Sequence, residues 1–418
     1  MSTDLLHDRA AARPLGAARR TLVACVAALI AATPAACTTT PTQNRSSACG
    51  TLPRIAPQDP EGILATISRP DAYDGWPYPL RRSLLADWRP AGTPPYTVGV
   101  LYDGNTTSIQ AESFKSIQAL LRRSPMIGKV LPVATEPGNP SRQVQAYQSM
   151  IDQGADLIVL QPASAPAFTA RIRAALDRGV ATLAITNVVD DAALVSLAPN
   201  VHTSGGAALA QFVKLLGGKG DLLGVHGIRT AEADRASWVS FRQVLAQCPQ
   251  IELAGEIDGN FAPPAVRAAV LQYLATHPGK IDGVFQTAVM GSAIIGAFQQ
   301  AGRPVPPVTA MAAQKGELAY WAEHAADGYA STGYAGGSAA TATTTTRLVL
   351  RMLAGQGPKI NMVPLPRQLI TGADLARHVQ PGWTLSTPGD VDQDPSTYWT
   401  DTDLDTLFHH PDRTADTP

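Results

Sequence analysis

Apolar runs without polar alternation, each followed by an amphipathic stretch, recur along the chain from Tyr96 onward. DLIVL, FTARIRAALDRG and ATLAIT, between Asp156 and Thr186, form one such unit. The first and last of these are strands apolar on both sides, the condition of a parallel sheet covered by helices. Between them, apolar residues recur at Phe168, Ile172 and Ala175/Leu176 until Gly179 stops the helix. QPASAP, after the first strand, is loop chemistry. The stretch is therefore a βαβ unit, and its polar ends, QPAS and Asn187, are where a ligand would be held.

The same alternation predicts a strand at YTVGVLY (Tyr96–Tyr102), a helix from about Thr107 to Arg123, a strand at KVLPVAT and a helix in SRQVQAYQSMIDQG capped by Ser141. After a break at VSLAPNVHTSGG a second series runs from DLLGVHG to PVTAMAA. Alternating strands and helices predict the α/β class, here two similar lobes of parallel sheet flanked by helices. The helix ATATTTTRLVLRMLAG and the strand MVPLPRQLIT that follow are too little for a third domain and complete the first lobe, so the chain crosses more than once. The expected organisation is lobe 1 at 96–200 plus 335–372 and lobe 2 at 201–334. Residues 37–95 form a tether and irregular arm, with a short helix at RRSLLADW. The acidic, turn-rich tail 373–418 is expected to pack loosely or stay disordered.

Composition narrows the partners. The 418 residues carry a formal net charge of −1 with 16% charged residues. No basic patch or acidic block stands out, which argues against nucleic acid as a partner. Residues 1–36 read as a secretory signal: arginines at 9, 13, 19 and 20, an apolar run TLVACVAALIAAT, then small residues before Cys37. Cys37, followed by TTTPTQNRSS, resembles the lipidated cysteine of a bacterial lipoprotein, giving membrane association through an N-terminal lipid; plain secretion is the alternative. Cys25 leaves with the signal. Cys49 and Cys248 then remain in an oxidising compartment, as a disulfide or as two unpaired buried thiols.

SRQVQAYQSMIDQGADLIVLQPAS, TSGGAALAQFV and GVFQTAVMGSAIIGAFQQAGRPVP, in that order behind an exported N-terminus, resemble a type I periplasmic binding protein of the ribose-like sugar group. The resemblance covers roughly residues 95–372. It implies two Rossmann-like lobes joined by a multi-crossing hinge that close over one small ligand, and a role as solute receptor of an ABC importer, with the permease as partner.

In open α/β sheets ligands lie beyond the carboxyl ends of the strands and between domains. Those ends supply Tyr102, Asp103, Asn105, Gln161, Thr186, Asn187, Arg229, Arg235, Phe261, Gln286, Thr287 and Gln314, with Tyr334 at a crossing. Planar polar groups and aromatics suit a polyhydroxylated ligand, since hydroxyls need donors and acceptors and the C–H face of a sugar stacks on rings. The resemblance places Gln161 at a polar amide position of sugar receptors, Arg235 near their ligand-binding arginine, Phe261 at the aromatic after the far lobe's second strand and Tyr334 at a polar hinge position. It also fails in places: Thr186-Asn187 replaces an Asp-Arg pair, and Ala288 and Ala312 stand where polar or acidic residues are usual. The cargo is then a derivatised sugar, a polyol or another molecule rather than a simple aldopentose or hexose.

Enzymatic signals are weak. GGKGDLLG precedes its strand, whereas a dinucleotide fingerprint follows one. No Walker A or G-x-S-x-G sequence occurs, and His409-His410 has no spaced metal-ligating partner. The expectation is a binding protein with no catalytic residue, cofactor or metal. The alternative to import is a sensory subunit presenting its closed form to a membrane kinase.

Overall fold

Strands form where the apolar runs predicted them, in a computed structural model that describes residues 48–413. Residues 1–36, expected to be a signal, and Cys37 lie outside the described residues. The first sheet contains β1 (Tyr96–Tyr102), β2 (Ile127–Ala134), β3 (Leu157–Leu160), β4 (Ala181–Ile185), β5 (Val195–Pro199) and β11 (Met362–Leu365). Their order is β11-β5-β4-β3-β1-β2, with every pairing parallel. All residues of β3 and β4 are buried, because helices cover both faces. These helices are α1 (Ser108–Leu121), α2 (Pro140–Asp152), α3 (Ala165–Asp177) and α9 (Ser338–Leu353). Thr107 caps α1 in a capping box with Gln110. The cap of α2 is Asn139, not Ser141, because Pro140 takes the first helical position and Asn139 Oδ1 accepts from Arg142 N at 3.1 Å.

The second lobe opens with α4 (Val201–Leu215). Strands β6 (Lys219–His226), β7 (Gln250–Asp258) and β8 (Gly283–Gln286) pair in the order β7-β6-β8. A parallel bridge from Val284 to Val308 leads on to β9 (Ala310–Ala313), β10 (Gly333–Ala335) and β12 (Leu369–Ile370). Helices α5 (Glu232–Leu245), α6 (Pro263–Thr276), α7 (Gly291–Gln300) and α8 (Lys315–His324) belong to this lobe. MVPLPRQLIT is not one strand. MVPL is β11 of the first sheet and LI is β12 of the second, and Pro366 between them has no N–H to continue a ladder. The chain therefore crosses between β5 and α4, between β10 and α9, and between β11 and β12.

The two terminal segments differ from expectation. RRSLLADW forms turns and one bridge, Arg82 to Ile360, rather than a helix, because Leu80, Leu85 and Trp88 are buried at an irregular spacing. The arm is nevertheless packed: Tyr73 and Trp76 join the first lobe's core, and Tyr73 Oη donates to Met362 O at 2.8 Å. Upstream, Cys49 is disulfide-bonded to Cys248 of the second lobe, and Leu52 packs over Gly206 of α4. The C-terminal stretch does not pack loosely. After the short α10 (Leu375–His378), Val391 N donates to Ala313 O and Gly336 N to Val391 O, both at 2.8 Å. The chain then returns to the first lobe, where α11 (Asp401–Asp405) brings Trp399, Leu404, Leu407 and Phe408 into the core. Its acidic residues find partners, Asp405 on Arg351 at 2.7 Å and Asp403 on Ser68 at 2.9 Å.

Trp399 is fully buried and its Nε1 donates to Pro364 O at 2.7 Å. Trp399→Ala should therefore cost about 3–5 kcal/mol, read as a lower urea midpoint. A loss below about 1 kcal/mol would mean the tail is an appendage rather than part of the first lobe's core.

Candidate functional site

Backbone strain marks the carboxyl ends of the strands. Among the described residues, five non-glycine residues have positive φ: Thr186 (66°), Asn260 (53°), Phe261 (54°), Val289 (52°) and Ala312 (50°). All of them lie at or just past the carboxyl ends of β4, β7, β8 and β9. Such conformations cost about 1–3 kcal/mol each and persist where the surroundings hold them. Threonine and valine, being β-branched, are the most unfavourable there. Val289 N is held by Met311 O at 2.9 Å and Thr186 N by Leu197 O at 2.8 Å. Ile109, in the first turn of α1, packs on the cluster containing Val289, Met311, Ala312 and Tyr334. The ends of both sheets thus face one gap.

On the first-lobe side a connected polar floor forms. Gln161 is buried, and its Oε1 accepts from Gln110 Nε2 at 3.3 Å. Gln110 Nε2 also lies 3.2 Å from Asp103 O, and Gln143 Nε2 donates to Gln161 O at 2.6 Å. Asp103 is half-buried; its Oδ1 accepts from Gly138 N at 2.8 Å, and burial raises its pKa. Asn187 Nδ2 donates to Pro162 O at 2.9 Å, joining the loops after β3 and β4. Asn105 is exposed on the loop after β1. Gln110 was not among the expected residues, though its place three residues after Thr107 is a capping-box signal legible in the sequence.

Three expected residues are turned away. Tyr102 is fully buried in the first lobe's core, its Oη donating to Ser113 Oγ at 3.2 Å and its ring 5.0 Å from Phe114. Gln286 is fully buried too: its Nε2 donates to Thr309 O at 3.1 Å and its Oε1 accepts from Met290 N at 2.9 Å. Both are the last residues of their strands, where the pleat sends the side chain under a helix. Tyr334 is buried on β10 with its Oη on Thr287 O at 3.5 Å, and burial pushes its pKa up to about 12. It packs the hinge side of the second lobe. Arg229 is engaged by Asp258 and Glu256 at that lobe's edge, and Gln314 caps α8.

The second-lobe wall rests on a buried carboxylate that sequence reasoning missed. Asp234, in the first turn of α5, accepts from Gly227 N at 2.7 Å, from Thr287 Oγ1 at 2.5 Å and from His226 Nδ1 at 2.8 Å. His226 stacks on Trp238 with ring centroids 3.6 Å apart, and Trp238 Nε1 donates to Thr287 Oγ1 at 3.1 Å. One side chain thereby ties the ends of β6 and β8 to α5. Next to it, Arg235 is exposed and makes no ion pair among the described residues. Phe261 lies across Gly227, where an added Cβ would fall 1.9 Å from the ring. The ring is half-buried on this glycine, leaving the remainder as a platform. Among the described residues no cluster of His, Cys, Asp or Glu is suited to a metal ion, and no helix is long and apolar enough to cross a membrane.

Comparison with known proteins gives a family match, a relative and three similar structures. A family model described as a periplasmic binding protein domain matches residues 98–357. The xylitol-binding protein of Mycolicibacterium smegmatis is 27% identical over 173 residues, 40% of this chain and 49% of that protein, so the match spans about half the relative's length. An ABC transporter solute binding protein from Thermobispora bispora is similar in structure at 21% identity, with a TM-score of 0.62, covering 69% of this chain and 92% of that one. The same kind of protein from Burkholderia graminis, in complex with D-arabinose, gives 16% identity and a TM-score of 0.60 over 69% of this chain and 99% of that one. A third, from Bacillus halodurans with bound myo-inositol, gives 14% and 0.60 over 69% and 98%. At these identities the structural likeness shows the fold.

The hinge adds a titratable contact. Asp390, from the C-terminal segment, accepts from Ser338 N at 3.3 Å, while Glu112 of α1 and Asp392 both take the Ser338 hydroxyl. Burial, and then the Glu112 carboxylate beside it, push Asp390 up to about 6. A carboxyl whose folded pKa is raised stabilises the fold when protonated, and that contribution is lost as pH rises through about 6. Lowering the pH from 7 to 5 should therefore add about 1 kcal/mol of stability at this site. Asp390→Asn should flatten that part of the profile. An unchanged dependence of the urea midpoint on pH in this variant would rule the assignment out.

Proposed function

The chain belongs to the periplasmic binding protein domain family, and from that premise we propose that it is an extracytoplasmic solute-binding protein that captures an uncharged, sugar-like polyol and delivers it to an ABC importer. The observation that carries this reading is the set of strained strand ends, furnished with amides, one aromatic platform and one cation that makes no ion pair among the described residues. Gln110, Gln161 and Asn187 offer donors and acceptors matched to hydroxyls. Phe261 offers a face to C–H groups. Arg235 offers a charged donor that makes no ion pair among the described residues. Thr186 and Ala312 carry no charge where the family pattern would put it. The named ligands of the similar proteins, xylitol, D-arabinose and myo-inositol, are likewise polyhydroxylated.

Capture follows from contacts made by both lobes at once. A ligand bound to the first-lobe amides gains Phe261 and Arg235 only when the second lobe swings in, so it stabilises the closed state by that difference. The reading is of a binding protein, with no covalent step. It includes export behind residues 1–36, a lipid on Cys37 holding the protein to the outer face of the membrane, and a permease that meets the closed form.

Calorimetry against xylitol, D-arabinose, myo-inositol and related polyols tests the cleft. Losing an aromatic face costs about 0.5–1.5 kcal/mol beyond lost area, and losing a charged hydrogen bond costs about 1.5–3 kcal/mol. Phe261→Ala and Arg235→Ala should each weaken binding about tenfold or more. If both folded variants bind as tightly as the wild type, the site lies elsewhere. The anchor has its own test: Cys37→Ala should move the protein from the membrane fraction to the medium, and an unchanged membrane fraction would count against a lipid there.

A further inference from the structure

Tyr78 lies in the arm, outside the residues that match the family. Its ring is partly buried against the first lobe's core and meets Trp76 edge-on at 5.8 Å, and Trp76 is itself buried in that core. Its hydroxyl, however, leaves the first lobe and donates to Glu232 Oε1, the first residue of α5 in the second lobe. Glu232 shares a helical turn with Asp234 and Arg235. That turn is pinned from beneath by Asp234 on Gly227 and Thr287, and from across the gap by Tyr78. The charges nearest the Tyr78 hydroxyl are Glu232, Arg235 and Asp190, and Asp190 is paired with Arg81 of the arm.

We infer that Tyr78 is an arm-borne latch: its bond to Glu232 holds the first turn of α5, and Arg235 with it, against the first lobe, and so sets the open–closed balance of the cleft. An O–H···O bond spans roughly 2.5–3.0 Å. A hinge motion that separates α5 from the arm by more than a fraction of an ångström breaks it, so its free energy belongs to the closed state alone. A ligand that binds the closed state then gains affinity in proportion to the population the latch supplies. Tyr78 is thus a positioning residue, acting through Glu232 and α5 rather than by touching the ligand. The inference rests on the cleft proposed above for its ligand-binding consequence and on the bond itself for its effect on shape.

Tyr78→Phe removes the hydroxyl while keeping the ring on Trp76, and Glu232→Gln removes the charge that receives it. Small-angle scattering of the mature protein without ligand should show a larger radius of gyration for both variants than for the wild type, with cooperative urea unfolding retained. Xylitol, as the probe, should bind each variant about tenfold more weakly. Identical radii for all three proteins overturn the latch, whatever the affinities. Failure of xylitol to bind even the wild type bears on the cleft's ligand, and the scattering comparison then decides the latch by itself.

Discussion

A parallel sheet covered on both faces is open to solvent only at its ends, and this constraint organises the whole molecule. β3 and β4 are buried throughout, so no side chain along their length is free to meet a solute. Polar groups collect where the strands stop, Gln161 and Asn187 in one lobe and the Gly227 N–H and Thr287 in the other, with the Phe261 ring beside them. Amino-terminal ends of helices abut the same places, with α1 and α5 starting beside them. Strained residues at those ends show that the loops are held by packing and hydrogen bonds rather than by local preference.

The hinge is more heavily strapped than the three crossings of the sheets alone would make it. The arm passes from its disulfide on the second lobe into the first lobe's core, and near the first crossing Asp74 O receives Asn200 Nδ2 at 2.8 Å and Thr203 Oγ1 at 2.6 Å. The tail passes back beside the second crossing, through Val391, Asp390 and Asp392 at the start of α9. Both extra straps run next to chain crossings, where relative displacement on rotation is least. They limit twist and sliding between the lobes more than they limit a simple swing.

Much of this was legible in the sequence. The unit from Asp156 to Thr186 folds as its periodicity implied, and the β–α alternation carried both lobes. What was misjudged has a common physical cause in the pleat. Being last in a strand places the backbone at the gap, but the alternation of side chains decides which way each one points. Tyr102 and Gln286 therefore lie under helices, while Gln161, one residue past its strand, turns toward the floor. Trp399, Leu404 and Phe408 gave no warning because only the 5-residue α11 and its flanking turns space them. The Asp234 network and the Tyr78–Glu232 contact join residues whose partners become neighbours only once the sheets are assembled.

The disulfide between Cys49 and Cys248 decides which half of the molecule is handed to whatever lies upstream. From that bond the arm enters the first lobe's core at Tyr73 and Trp76. Reduction would therefore free one end of a strap that spans both lobes while leaving its other end seated, so the two lobes would keep their own cores and lose a cross-link between them.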